Sequence, residues 1–273
     1  MPELPEVETI KRSLAPRLLG RTILAVEVRL PKLLAGMEPA ALARRLVGQV
    51  IGGMDRRGKY LLLELAAGDR VAFHLRMSGR LVLRAAGPTE EPHAYLFFHL
   101  TGGEDLVYVD PRKFGRLYYL SAGEKLPPPL FALGPEPLGA DFTPSLLAEI
   151  LAGRRGAIKP VLLDQRLIAG IGNIYADEIL HRAGIHPRRP AGGLKEDELR
   201  RLYDAIRGVL TEAISYRGTS KRDYVDGEGR PGDYQERLAV YGRADEPCRV
   251  CGHPIRRIVV GGRGTYFCPV CQV

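Results

Sequence analysis

The chain has 273 residues, 45% of them hydrophobic, with 40 lysines and arginines against 32 aspartates and glutamates. The resulting net charge of +8 favours a polyanionic partner, nucleic acid before membrane, although a merely basic surface gives the same sum. No stretch approaches the roughly 18 consecutive apolar residues of a membrane helix. The start lacks a basic segment followed by an apolar core, so neither a span nor a signal peptide is expected, and the cytoplasm is the default.

The chain opens MPELPEVETI, with two prolines and three glutamates in its first eight residues. Pro5 reads as the start of a helix, with glutamates at its positive end. Loss of Met1 would leave Pro2 with a free secondary amine. Residues 6–18 read as that helix, with Val7, Ile10, Leu14 and Leu18 on one face and Gly20 as its stop. Short runs rich in aromatic and branched residues follow: 60–65, 70–77, 80–83, 94–100, 105–109 and 116–120, with TGGE at 101–104 as a hairpin signal. This half reads as a strand-rich sandwich or barrel fronted by a helix.

Residues 123–139 contain five prolines and read as a linker. Helix candidates then cover 146–153, 159–170, 173–184 and 194–215, the last with Leu199, Leu202, Ile206, Leu210 and Ile214 on one stripe. Between two of them, Gly170 and Gly172 permit a tight turn, and Asn173 suits the N-cap of the next helix. With Arg154, Arg155 and Lys159 just upstream, helix, glycine turn and helix fit a phosphodiester clamp; a plain interhelical turn fits as well. Residues 217–237 are rich in glycine and charge and read as a mobile loop.

All four cysteines lie near the end, as Cys248, Cys251, Cys268 and Cys271, in the spacing C-x2-C-x16-C-x2-C. Two such knuckles complete a tetrahedron around one zinc ion and leave no open position, which makes the metal structural; a redox pair is the competing reading. Strand, glycine turn and strand are expected between the knuckles, with Arg263 at the tip, suited to a DNA groove or a phosphate.

Taken in order, MPELPEVET, RRGKYLL (56–62), HLRMSGR (74–80), DPRKFGR (110–116), LGPEPL (133–138), LLDQRLIAGIGNIYADEIL (162–180), VYGR (240–243) and GGRGTYFCPVCQ (261–272) resemble the bacterial formamidopyrimidine-DNA glycosylase family over essentially the whole chain. The resemblance implies an α+β fold in two domains: an N-terminal β-sandwich with a leading helix, and a C-terminal helix–two-turn–helix domain with a zinc finger. Damaged double-stranded DNA would lie in the cleft between them. The boundaries expected are a catalytic domain over 1–122, a linker over 123–139, the helical domain with its lesion-recognition loop over 140–237, and the zinc finger over 238–273. A monomer with one structural Zn2+, associated with the nucleoid through DNA, is implied.

The resemblance also implies roles. Pro2, freed of Met1, attacks C1′ of the damaged nucleotide and forms an iminium that serves as an electron sink. Glu3 is the general acid/base, and Glu6 is structural or organises water. Lys59 serves at the active site in β-elimination, and Arg263 clamps a phosphate and serves δ-elimination. Met77, Arg112 and Phe114 match the residues that fill the gap left by the extruded base; by pattern alone, Met77 and Phe114 read as core. His74, His93, Arg154, Lys159, Asn173 and Tyr241 match phosphate contacts. Thr219, Ser220, Arg222 and Tyr224 belong to the lesion loop, where Arg217 replaces the first glycine of the family's Gly-Gly-Ser/Thr-Thr opening. The rivals are an endonuclease VIII-like glycosylase for oxidised pyrimidines and a non-catalytic zinc-finger DNA-binding protein.

Overall fold

The computed structural model describes residues 1–87, 91–123, 127–221 and 223–273. They fall into two units, one comprising 1–131 with 216–233, the other 132–215 with 234–273.

The first unit begins with α1 (Leu4–Leu18), whose Val7, Ile10, Leu14 and Leu18 are fully buried. Two four-stranded antiparallel sheets follow. One has the order β1 (Ile23–Val28), β6 (Ala94–Leu100), β7 (Glu104–Val109), β5 (Arg80–Ala85); the other runs β2 (Ile51–Arg57), β3 (Tyr60–Leu65), β4 (Arg70–His74), β8 (Arg116–Leu120). Phe73 and Leu61 of one sheet share a buried cluster with Phe98 and Leu106 of the other and with the α1 stripe, which makes a sandwich closed by a helix. A short helix, α2 (Pro39–Leu46), packs on β1.

The elements that the sequence pattern leaves out are β1, α2 and β2. Both strands are sheet edges, so each has one pairing partner and a weak apolar pattern. β2 reads IGGMDRR yet pairs along its length with β3. The run 70–77 stops as a strand at His74, because Arg76 takes φ +55 and turns the chain.

The mobile loop expected over 217–237 within the helical domain is divided: residues up to Asp233, with Tyr216, are packed on the sandwich, and Tyr234–Arg237 form a short helical turn in the second unit. Tyr224 joins the sandwich core cluster, Gly227 N–H donates to Ser13 Oγ at 3.0 Å, and Leu83 N–H donates to Gly227 O at 2.9 Å. Glycine and charge suggested mobility, but one buried tyrosine and these backbone bonds decide the outcome. Arg222 lies outside the described residues.

The second unit follows α3 (Pro128–Phe131), one turn of helix within the expected linker. It contains α4 (Pro144–Leu151), α5 (Ile158–Leu163), α6 (Asn173–Ala183) and α7 (Glu196–Ser215). Leu202, Ile206, Leu210 and Ile214 of α7 are buried, Leu199 partly so, and α7 packs on α6 and α4. The expected helix over 159–170 ends at Leu163, and two turns lead to α6. The Gln165 side chain organises them: Oε1 accepts from Gly170 N–H, and Nε2 donates to Leu163 O and Ile171 O. Gly172, not Asn173, is the N-cap of α6. The unit ends in the hairpin β9 (Arg256–Val260) and β10 (Arg263–Phe267), with β10 against α6. Among the described residues no helix is long and apolar enough to cross a membrane.

Candidate active site and DNA-binding residues

In the first unit, Pro2 and Glu3 are buried behind a half-exposed Met1. Glu3 is the N-cap of α1, and its N–H donates to Glu6 Oε2 at 2.8 Å. Glu6, only 1% exposed, uses its other oxygen to accept from Thr219 N–H at 2.8 Å. A buried carboxylate in a first helical turn is favoured by the open amides and dipole there. Glu6 thus ties the N-terminus to the 216–233 segment, a link no local pattern in the sequence carries.

Two residues further along α1, Glu8 bonds Lys11, Arg12 and Arg56. Burial works to raise its pKa, but these three cations outweigh it and hold the carboxyl below the usual range. Arg56 also donates to Gly58 O, so the ion pair fixes the β2–β3 turn that carries Lys59, itself buried. His74 lies edge-on to Tyr60 and accepts from Arg76 N–H at Nδ1. Burial, then the charges of Arg76 and Lys59, pushes its pKa down to about 3. The ring is therefore neutral at physiological pH, with its proton on Nε2.

The residues expected to replace the extruded base come together on two loops. Met77 and Phe114 are 47% and 51% exposed, unlike core residues, and the Arg112 guanidinium lies 5.0 Å from the Phe114 ring centroid. Asp110, 1% exposed, joins the loops: it accepts from Ser78 Oγ at 2.6 Å and from Gly115 N–H at 2.8 Å. A Cβ on Gly115 would sit 1.7 Å from Tyr108 Oη, so the loop needs glycine there. Exposed His93 is attached to the same assembly, since its carbonyl accepts from Asp110 N–H. Ser78 and Asp110 are scaffold residues that sequence reasoning missed; the only signal was their place inside the HLRMSGR and DPRKFGR blocks.

In the second unit, Arg263 is exposed at the start of β10, one residue past the Gly261–Gly262 turn rather than on it. Arg154 is exposed and Tyr241 half-buried against Tyr266. Lys159 departs from its expected role as a phosphate contact. It is fully buried, 2.7 Å from Asp177 Oδ1, and donates to Thr265 Oγ1 at 2.9 Å and to Gly264 O at 3.2 Å. Asn173 Nδ2 donates to the same carbonyl, and Asp177 Oδ2 accepts from Tyr266 N–H. Burial pushes the Asp177 carboxyl up to about 7, against the pull of Lys159 and of that N–H. Lys159 therefore anchors the strand that begins with Arg263 from behind. Glu178 does the same for the neighbouring turn, accepting from the N–H groups of Ala239, Val240 and Tyr241.

The sulfurs of Cys248, Cys251, Cys268 and Cys271 all lie within 4.8 Å of one another. Zn–S bonds of about 2.3 Å require sulfurs about 3.8 Å apart in a tetrahedron. The Cys251–Cys268 and Cys248–Cys271 separations, 3.4 and 3.9 Å, fit that figure and are too long for disulfides. Burial and its three sulfur neighbours push the Cys271 thiol up, so a dication is what allows all four to ionise together. Val250 N–H and Cys271 N–H point at Cys248 Sγ and Cys268 Sγ, as in metal knuckles. His181 Nε2 lies 3.6 Å from Cys248 Sγ, a neighbour of the metal site that cysteine spacing does not reveal.

The class these parts define is a two-unit chain: a helix-capped sandwich with an exposed aromatic side chain, followed by a helix–two-turn–helix and a four-thiolate hairpin that fits zinc. Comparison with known proteins narrows the class. The family model for the formamidopyrimidine-DNA glycosylase N-terminal domain matches residues 1–117, the model for that enzyme's helix–two-turn–helix domain matches 133–225, and a zinc finger found in FPG and IleRS matches 245–273. The formamidopyrimidine-DNA glycosylase of Symbiobacterium thermophilum is 51% identical over 273 residues, 100% of this chain and 89% of its own. Lactococcus lactis Fpg in complex with abasic-site DNA has a TM-score of 0.93 at 41% identity, with 99% of each chain covered. A variant of that enzyme bound to DNA containing Fapy-dG matches with the same figures. This chain belongs to the formamidopyrimidine-DNA glycosylase family.

Proposed function

We propose that this protein excises oxidised purines, 8-oxoguanine and formamidopyrimidines, from duplex DNA and then cleaves the strand at the resulting site. It acts in base excision repair, in the cytoplasm and on the nucleoid. The observation that carries the reading is the N-terminus itself: a proline next to a buried acid, Glu3, at the start of a helix, in a chain that matches the family along its length.

Once Met1 is removed, the Pro2 secondary amine attacks C1′ of the extruded nucleotide. The C1′–base bond breaks, the base leaves with a proton, and the sugar ring opens as the iminium forms. Glu3 supplies and removes protons at the sugar. Because a secondary amine gives an iminium without an N–H proton, the positive charge cannot be lost by deprotonation, and it draws electrons from C2′. Loss of the C2′ proton expels the 3′ phosphate, with Lys59 assisting. A second elimination expels the 5′ phosphate, with Arg263 holding it. Water then releases Pro2 from the sugar fragment, and a gap with phosphates at both ends remains. Met77, Arg112 and Phe114 occupy the space left in the stack, with the arginine facing the orphaned base. His93, Arg154, Asn173 and Tyr241 hold the backbone, and neutral His74 contributes through its Nε2 proton. Thr219 and Ser220 belong to the loop that meets the extruded base, and Tyr224 holds that loop to the sandwich core. The zinc hairpin presents Arg263, and its metal takes no part in the chemistry.

Borohydride trapping on duplexes containing 8-oxoguanine, a ring-opened purine or thymine glycol tests the proposal. A covalent adduct is expected on the purine lesions and a sharp fall with Pro2→Gly. A strong preference for thymine glycol would overturn the substrate assignment in favour of an endonuclease VIII-like enzyme. The absence of any adduct from Met1-free protein would leave only DNA binding.

A further inference from the structure

Arg217 adopts φ +61, a left-handed conformation that glycine takes freely and a bulky side chain does not. Its guanidinium Nη2 donates to Asp226 Oδ2, and the Asp226 side chain is 1% exposed. The other Asp226 oxygen accepts from Glu228 N–H at 3.0 Å and from Arg230 N–H at 2.9 Å, which shapes the far side of the loop. The ion pair therefore spans the loop from its entrance to its tip. At the neck, Asp233 N–H donates to Tyr216 O and Gly232 N–H to Ser220 Oγ.

The entrance side is also the side that reaches α1. Gly218, at φ +79, lies so close to Glu6 that a Cβ there would come within 2.7 Å of Glu6 Oε1. The next residue's amide, Thr219 N–H, donates to that oxygen. The Tyr224 hydroxyl lies 3.0 Å from Arg217 O and 3.3 Å from Glu6 O. A single residue, Gly218, thus separates the ion pair from the amide on Glu6, and Glu6 accepts in turn from Glu3 N–H beside Pro2.

We propose that Arg217 is a specificity-determining positioning residue: its pair with Asp226 latches the 216–233 loop so that the Thr219 amide stays on Glu6 and the loop is set for the extruded base. Arg217 touches no reacting atom. The inference rests on the proposed glycosylase function, and its consequence is selective. Removal of a base depends on the loop, whereas cleavage at an abasic site, which has no base, does not.

The test uses full-length, zinc-loaded, Met1-free protein under single-turnover conditions on two duplexes, one with 8-oxoguanine opposite cytosine and one with a preformed abasic site. Arg217→Gly keeps the left-handed backbone without strain and removes only the latch. Base excision is expected to fall about tenfold, the equivalent of one charge-assisted hydrogen bond, while abasic cleavage stays within about twofold. Hydrogen exchange of amides 217–230 should accelerate, and Arg217→Lys, which keeps a cation near Asp226, should lose less than glycine does. Equal losses on both duplexes, no loss on either, unchanged exchange, or a lysine variant as poor as glycine would each overturn the latch. Wild-type protein that cleaves the abasic duplex but releases no oxidised purine would instead overturn the glycosylase reading.

Discussion

Replacing Lys159 with methionine separates two roles that a basic residue near a DNA-binding turn can have. Lys159 and Asp177 are both fully buried, and their charged atoms are 2.7 Å apart. At an effective dielectric of about 20 their gross attraction is about 6 kcal/mol, most of which offsets the desolvation of two ions. Deleting Lys159 forfeits the attraction, and the Asp177 carboxyl, already raised to about 7, then takes up a proton; breaking a buried pair costs about 3–5 kcal/mol, and this neutralisation keeps the loss toward the lower end. Exposure is nil, so solvent screening gives no discount. Lys159→Met should therefore destabilise the helical unit by that amount in urea unfolding and speed exchange of the Tyr266 amide, which donates to Asp177. Asp177→Asn in the same chain should recover part of the loss at alkaline pH, where the carboxyl would otherwise ionise without a partner, and little at neutral pH. DNA affinity measured against salt gives the opposing readout. A lysine that binds a phosphate adds about 0.9 to the slope of log K against log salt, and a buried anchor adds nothing. A slope reduced by about one, with stability and exchange unchanged, would refute the anchoring role and restore Lys159 as a phosphate contact.

His74 gives a pH signature. Its folded pKa is pushed down to about 3, while an unfolded histidine titrates near 6.5, so the unfolded state binds more protons between these values. Its contribution to stability is complete above about pH 6.5 and is lost as pH falls toward 3; unfolding of wild type and His74→Gln between pH 7 and 4.5 should diverge, and parallel profiles would contradict the burial argument. Phe114→Ala should leave thermal stability within about 0.5 kcal/mol, because the ring is half exposed, yet reduce trapping on lesion duplexes about tenfold. A large drop in melting temperature would return Phe114 to the core. Chelating the zinc should weaken DNA binding while the near-UV signal of the sandwich tyrosines persists; equal affinity without metal would remove the hairpin from the DNA surface. Retention of Met1, checked by mass spectrometry, should abolish trapping altogether.

What could be read from the sequence followed from how local each cause is. The α1 stripe and six of the strands announce themselves because burial on one face imposes a period on neighbouring residues. The cysteine spacing carries its tetrahedron within a few residues on each side. Lys159 was misplaced because its partners are remote: Thr265 is 106 positions away, and nothing near the lysine distinguishes a buried anchor from a phosphate contact. The exposure of Met77 and Phe114 ran the other way. Both are large apolar side chains, which pattern assigns to a core, whereas the remote bonds of Asp110 to Ser78 Oγ and Gly115 N–H hold the loops that expose them. Glycine and charge at 217–237 predict freedom, and as far as Asp233 they are overruled by one tyrosine in the core and one carboxylate under the N-terminus.

The return of residues 216–233 to the sandwich bears on how the chain is made. The sandwich sequence breaks off at Phe131, and its remaining piece, with core residue Tyr224 and the Thr219 amide, emerges from the ribosome only after the whole of 132–215. Vectorial synthesis ordinarily lets an N-terminal domain fold before the next one is translated. Here the first unit must wait with a core position unfilled and the Glu6 carboxylate short of a donor until the helices that interrupt it have been produced. A fragment ending at Phe131 would be a nascent-chain intermediate rather than a free-standing domain, and any attempt to express the sandwich alone has to graft the 216–233 segment back onto it.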